Sequence, residues 1–209
     1  MHLACYLVIM VPEERIRGEA AIASSRWAVE EGIGGEDDDP WVIEAMFQKY
    51  PELRHKHYVA GTASPFVFKG PKVSVVREGD GDVIKSAKAV WAVYVGEFGG
   101  NASRVVQGGA IASMFDLVMA CFGSIIAEPG SFGLTKSLFV RYLKGASPVP
   151  GVYKITTNLV SLDEQKGLIV LRSALTDGSA QGEKRPFAVS DCKLVDLKRR
   201  IAYKNRSKL

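Results

Sequence analysis

The stretch Ala110-Ile-Ala-Ser-Met-Phe-Asp-Leu-Val-Met-Ala-Cys-Phe-Gly-Ser-Ile-Ile-Ala127 decides the fold. Asp116 is its single ionisable group. By length and composition the stretch reaches the lower bound for a membrane-crossing helix. Three features oppose a span. A carboxylate in the hydrocarbon costs about 3 kcal/mol, neither flank carries a basic cluster, and no second stretch of this kind exists in the sequence. The reading preferred is a helix buried on nearly all sides by its own protein. A membrane-anchored protein is the rival, removed by solubility without detergent.

Working outward, the pattern changes from helical to extended. Lys72 to Arg77 alternates and ends in the turn Glu78-Gly-Asp-Gly-Asp82, and Lys88 to Phe98 is rich in β-branched and aromatic residues. After the apolar helix, closed by Glu128-Pro129-Gly130, four more strands are predicted: Leu134–Leu143, Val152–Leu162, Gly167–Thr176 and Phe187–Leu197. In the second of these Tyr153, Ile155, Thr157 and Leu159 share one face, and Lys154, Thr156 and Asn158 the other. Leu162 to Gly167 reads as a hairpin connection. Two strands, one very apolar helix and four strands in short antiparallel connections require a sheet curled around the helix. That is an α+β hotdog fold, spanning residues 66–198.

Residues 1–65 read as a partly helical extension, with Glu13 to Glu30 as one helix and Pro40 to Tyr50 as another. The acidic run ending at Asp39 lacks calcium-loop spacing and reads as a solvated loop. The first eleven residues are apolar but lack the basic start of a secretory signal, and Glu13 and Glu14 argue against a transit peptide. They read as a first strand or packing arm.

The 209 residues carry a net charge of +4, yet Lys198, Arg199, Arg200, Lys204, Arg206 and Lys208 alone contribute six positive charges, leaving −2 on the rest. The basic balance therefore belongs to the last twelve residues, Lys198 to Leu209, of which 199–209 read as a flexible tail, and the body does not read as a nucleic-acid binder. The tail ends Ser207-Lys208-Leu209, a peroxisomal address. It implies an import receptor as partner and the peroxisome matrix as location, with cytoplasm or mitochondria as alternatives. Cys5, Cys121 and Cys192 are widely spaced and odd in number, which suits a reducing compartment rather than a disulfide framework or zinc site. His55 and His57 have no third ligand nearby in sequence, so no metal is expected.

Chemistry concentrates in Asn101 to Asp116. Aspartate is a poor helix-interior residue and a costly buried charge, and partial burial raises a carboxylate's basicity. On a helical projection Ser113, Asp116, Ala120, Gly123 and Ser124 form a small or polar stripe fit to line a cleft. Gly108 and Gly109 stand at the helix start, where unpaired N–H groups and the positive end of the dipole suit a developing oxyanion. The competing readings are an Asp that satisfies a backbone group or an arginine, and glycines that serve tight packing.

The segment Gln107-Gly-Gly-Ala-Ile-Ala-Ser-Met-Phe-Asp116 resembles the H-G-G-A-x-x-x-x-x-D motif of hotdog acyl-CoA thioesterases, in the branch of the phenylacetate-pathway enzymes and the thioesterase-superfamily proteins of animals. Leu134 to Tyr142 is similar to that family's strand after the helix. The resemblance implies hydrolysis of fatty or related acyl-CoA to free acid and CoA, without a cofactor. It makes Asp116 the general base or nucleophile, Thr135 the hydroxyl that holds water or carboxylate, and Gly108 the oxyanion donor. It gives Asn101 an accessory role. The family's active site lies between subunits, which implies a homodimer or a dimer of dimers. Gln107 departs from the family's histidine and cannot transfer a proton at neutral pH, so a non-catalytic acyl-CoA binder is the alternative. Gly109, Lys136, Ser137, Arg141 and Lys144 are the candidates for substrate binding, the cations as partners for CoA phosphates.

Overall fold

The computed structural model describes residues 12–33, 64–78, 83–127, 131–143 and 147–206. The predicted helix at 40–50, the acidic run, both paired histidines, Lys144, the turn at 128–130 and the final Ser-Lys-Leu lie outside the described residues, as do the first eleven. In chain order the elements are helices α1 (Pro12–Ala23) and α2 (Arg26–Glu30), strands β1 (Phe66–Arg77) and β2 (Ile84–Val95), helix α3 (Gly108–Ile126), strands β3 (Gly133–Tyr142), β4 (Gly151–Asp163) and β5 (Leu168–Thr176), the short helix α4 (Ala180–Lys184), strand β6 (Ala188–Asp196) and helix α5 (Leu197–Arg206). The strands form one antiparallel sheet in the order β1-β2-β4-β5-β6-β3, so among the described residues β1 and β3 are its edges. With α3 packed on one face of that sheet, this is the hotdog arrangement.

The main core is the contact between α3 and the sheet. Met114, Phe115, Val118, Met119 and Phe122 of the helix meet Trp91, Val93, Ile155, Ile169, Leu171 and Leu194 of the strands, all fully buried. Each such side chain is worth about 2 kcal/mol when withdrawn from water. Closest approach falls at Gly123, where a Cβ would stand 2.1 Å from Leu194 Cδ1, and where the α-carbon faces Gly133 of β3.

β4 alternates as expected, with Tyr153 and Ile155 in the main core and Leu159 packed against it. β2 does not alternate. Ala89, Trp91, Val93 and Val95 face α3, while Val90, Ala92 and Tyr94 belong to a second cluster with Ile22, Ala28 and Ile33 of the N-terminal segment. Helices α1 and α2 therefore lie on the sheet's outer face over β1 and β2. That explains a strand apolar on both sides.

Three expectations are corrected. The segment 13–30 is two helices rather than one, because the Ser24 hydroxyl turns back to the carbonyls of Ala20 and Ala21 at the break. The tail is helical through Arg206 rather than loose from residue 199. Its cap is Asp196, fully buried, whose Oδ1 accepts the Ser131 hydroxyl at 2.5 Å and the Arg199 N–H at 3.2 Å, while Ser131 Oγ accepts the Lys198 N–H at 3.2 Å. Helix α3, finally, is buried on one side only. Ten of its 19 residues are buried, and the side bearing Ser113, Asp116, Ala120, Ser124 and Ile125 is open to varying degrees.

Candidate active site

Asp116 sits on the open side of α3 and is exposed. The sequence argument for partial burial fails here, because the sheet covers only the opposite face of the helix. Strand β3 flanks the carboxylate, and the Thr135 hydroxyl donates to Asp116 Oδ1 at 2.8 Å. Among the described residues Asp116 makes no ion pair. No arginine among the described residues holds it as a structural partner. Beneath it the thiol of Cys192 on β6 is pushed up to about 12, chiefly by burial and then by the negative charge of Asp116.

At the start of α3, Gln107 donates its own N–H to the Gly99 carbonyl at 3.1 Å, and its carbonyl receives the Ile111 N–H at 3.0 Å, the first bond of the helix. The N–H groups of Gly108, Gly109 and Ala110 lie ahead of that bond and have no acceptor within the helix. The Gln107 side chain is exposed and makes no capping bond. The two glycines differ in surroundings. A Cβ at Gly109 would meet nothing within 4 Å, whereas one at Gly108 would stand 3.3 Å from the ring of Tyr142. The Tyr142 hydroxyl donates to the Gly108 carbonyl at 2.7 Å. Asn101 lies in the loop that feeds this turn, where its side-chain oxygen accepts the N–H of Ser103 at 2.9 Å and of Val105 at 3.4 Å. Its visible work is to shape that loop.

The substrate-binding candidates are divided by one irregularity. The register of β3 against β6 slips between Thr135 and Ser137, which inserts Lys136 as an extra residue. Past the slip, Leu138 and Val140 pack against the core and Tyr142 reaches the helix start. Ser137, Phe139 and Arg141 alternate to the outer face. Arg141 lies there 3.8 Å from Asp191, which Arg172 also holds at 2.7 Å. Ser137 and Arg141 thus point away from Asp116 within this chain, while Lys136 is exposed at the bulge beside Thr135. The structure brings together Asp116 with Thr135, and Gly108 with Tyr142. Tyr142 is the site residue that sequence reasoning missed; a tyrosine on a strand carries no sign that its hydroxyl is bonded to a helix start.

A scan against protein-family models matches none, and a search of the curated proteins returns no match. Solved structures that the chain resembles include zebrafish thioesterase superfamily member 2, at 17% identity and TM-score 0.49, covering 75% of this chain and 99% of that one. A thioesterase of Haemophilus influenzae aligns at 13% identity and TM-score 0.47, over 76% of this chain and 92% of that one. A Streptococcus mutans protein bound to acetyl-CoA aligns at 16% identity and TM-score 0.45, over 62% and 90%.

Proposed function

We propose that this chain hydrolyses acyl-CoA thioesters, with Asp116 as general base or nucleophile, and does so as a dimer. The observation that carries the reading is the Thr135–Asp116 hydrogen bond on the open side of α3, with no cation on the carboxylate among the described residues. A thioester has an electrophilic carbonyl and a good leaving group. Its hydrolysis needs an activated water, or a carboxylate nucleophile, and donors for the oxyanion. Asp116 supplies the first, Thr135 orients it, and the helix-start N–H groups of Gly108 and Gly109 supply the last.

These two halves cannot act on one carbonyl from the same chain. Gly108 and Asp116 are eight residues apart on one helix, or about 12 Å along its axis, whereas the donors must bond the carbonyl oxygen at about 3 Å and the carboxylate must reach the adjoining carbon directly or through a single water. A second copy resolves this by offering its helix start to the first copy's carboxylate. Edge strand β3 is the natural contact. Among the described residues no strand pairs its outer edge, and Phe139, 62% accessible, stands exposed along it, the kind of surface that pairs with another chain. Lys136, beside Thr135, is the cation nearest in sequence to the site for a CoA phosphate; Arg141 and Ser137 serve only if the partner brings its site to their face. The Ser207-Lys-Leu209 address adds the peroxisome matrix as place of action. A fluorescent protein ending in residues 197–209 is expected to enter peroxisomes, and one ending at Arg206 to stay in the cytoplasm.

The test is free-thiol release from a panel of acyl-CoAs, from acetyl to palmitoyl and phenylacetyl. Turnover is expected in the wild type and a loss of about 10²–10⁴-fold in Asp116→Asn, with the dimer intact by light scattering. If both proteins bind acyl-CoA and neither releases thiol, the chain is a binder and Gln107 marks the lost chemistry.

A further inference from the structure

We propose that Tyr142 is a positioning residue whose hydroxyl fixes the oxyanion donors for the partner copy's carboxylate; this rests on the thioesterase reading above. The helix start that must supply those donors opens on two consecutive glycines, Gly108 and Gly109. Glycine has the widest backbone freedom of any residue, and the first turn of a helix is held by the fewest internal bonds. Donors that stabilise an oxyanion must nevertheless be fixed in advance to within a fraction of an ångström. The N-cap residue does not secure this end, since the Gln107 side chain makes no capping bond. What holds it is Tyr142, whose ring lies against the Gly108 α-carbon and whose hydroxyl donates to the Gly108 carbonyl at 2.7 Å.

The same strand grips the helix a second time, through Thr135 and Asp116 at 2.8 Å. β3 therefore braces α3 at two points, one under the base and one under the donors. Because base and donors of one chain are about 12 Å apart along the helix, they serve different carbonyls. Thr135 tunes its own chain's site and Tyr142 tunes the neighbouring one.

Kinetics of Tyr142→Phe test this, using thiol release by the full-length dimer. The expected result is kcat about tenfold lower, as for slight misplacement of a catalytic group, with KM within twofold and the melting temperature unchanged. The decisive experiment is a mixed dimer, one chain Tyr142→Phe and the other Asp116→Asn, isolated through two different tags. If Tyr142 acts across the interface, one site keeps an intact carboxylate and an intact donor brace. Activity then returns to about half of wild type, above either parent homodimer. If Tyr142 acts within its own chain, the mixed dimer falls to about half of the Tyr142→Phe homodimer, and the proposal is overturned. An unchanged kcat in Tyr142→Phe, or an effect confined to KM, also overturns it and leaves the thioesterase reading standing. A wild type without thiol release removes both together.

Discussion

A single carboxylate on an apolar helix is cheap only where water or a partner can reach it, and Asp116 has both. It faces outward from α3 and accepts the Thr135 hydroxyl. On the thioesterase reading proposed above, this exposure separates catalysis from stability. Asp116→Asn removes the charge and keeps the shape, so the stability read from urea unfolding is predicted to change by less than about 0.5 kcal/mol, as at other surface positions, while turnover collapses. A large loss of stability would instead mark Asp116 as structural. Thr135→Val removes only the hydroxyl that holds the carboxylate, and a fall of about tenfold in kcat is expected, within the range of an orienting group next to a general base. The position of Asp116 was legible because an acid two turns into such a helix is conspicuous. Its exposure was not, because periodicity identifies a helix's apolar face but does not say how much of the remainder the sheet covers. The outward turn of Ser137 and Arg141 was equally hidden. Lys136 enters as an extra residue between Thr135 and Ser137, and one inserted residue reverses every side chain after it.

At the scale of elements, the contact of α3 with β3 and β6 depends on Gly123. Projected on a helical wheel, Gly123 joins the small and polar stripe; in space it is buried and meets Leu194 and Gly133 instead. A methyl group there would stand 2.1 Å from Leu194 Cδ1, and Leu194 is fully buried, with little room to retreat. Gly123→Ala is predicted to destabilise the fold by about 1–3 kcal/mol, in keeping with added volume in a packed core. The urea midpoint measures it, and an unchanged or raised midpoint would show that Leu194 relaxes freely. Helix α5 makes the complementary point about legibility. Its sequence, Leu197 to Arg206, is half charged and offers no buried residue, so it reads as tail. The helix is started from outside itself, by Asp196 at the end of β6 and by Ser131, which lies 65 residues earlier in the chain. Local composition holds no trace of that partnership.

At the scale of the whole molecule, the N-terminal extension is joined to the sheet by a charge buried where alternation predicts a solvent face. Lys154 on β4 points away from α3 as expected, yet its side chain is only 8% exposed, because α2 and α4 close over it. Its ammonium reaches Glu31 at 2.5 Å and Glu183 at 2.9 Å and lies 5.8 Å from the ring centre of Trp27, while Lys72 donates to the Glu31 carbonyl at 2.6 Å. The continuous apolar run of β2 was the one sign in the sequence that something covers the outer face; nothing in it says what. Glu31 is held below the ordinary glutamate range, first by the hydrogen bond from Lys154, against the opposing effect of burial. Its contribution to stability is therefore present above about pH 4.3 and fades as pH falls through its lowered folded value. Lys154 shows the opposite sign. Burial, the largest influence, works against its charge, but the hydrogen bonds to Glu31 and Glu183 and the negative charges of both together outweigh it and raise its pKa. Its contribution is complete below about pH 10.4 and is lost as pH rises through the raised folded value. The join thus holds across the neutral range and opens first in acid. Lys154→Ala is predicted to cost about 1–2 kcal/mol, less than a wholly buried pair because both glutamates keep partial access to water. Hydrogen exchange localises the loss. At pH 7 the variant should lose amide protection in α1 and α2, as the wild type should once pH falls below the lowered folded value of Glu31, while α3 and the strands beneath it keep theirs and thiol release continues. Equal loss of protection in α3 would mean that the extension is no separable cover but part of the cooperative core.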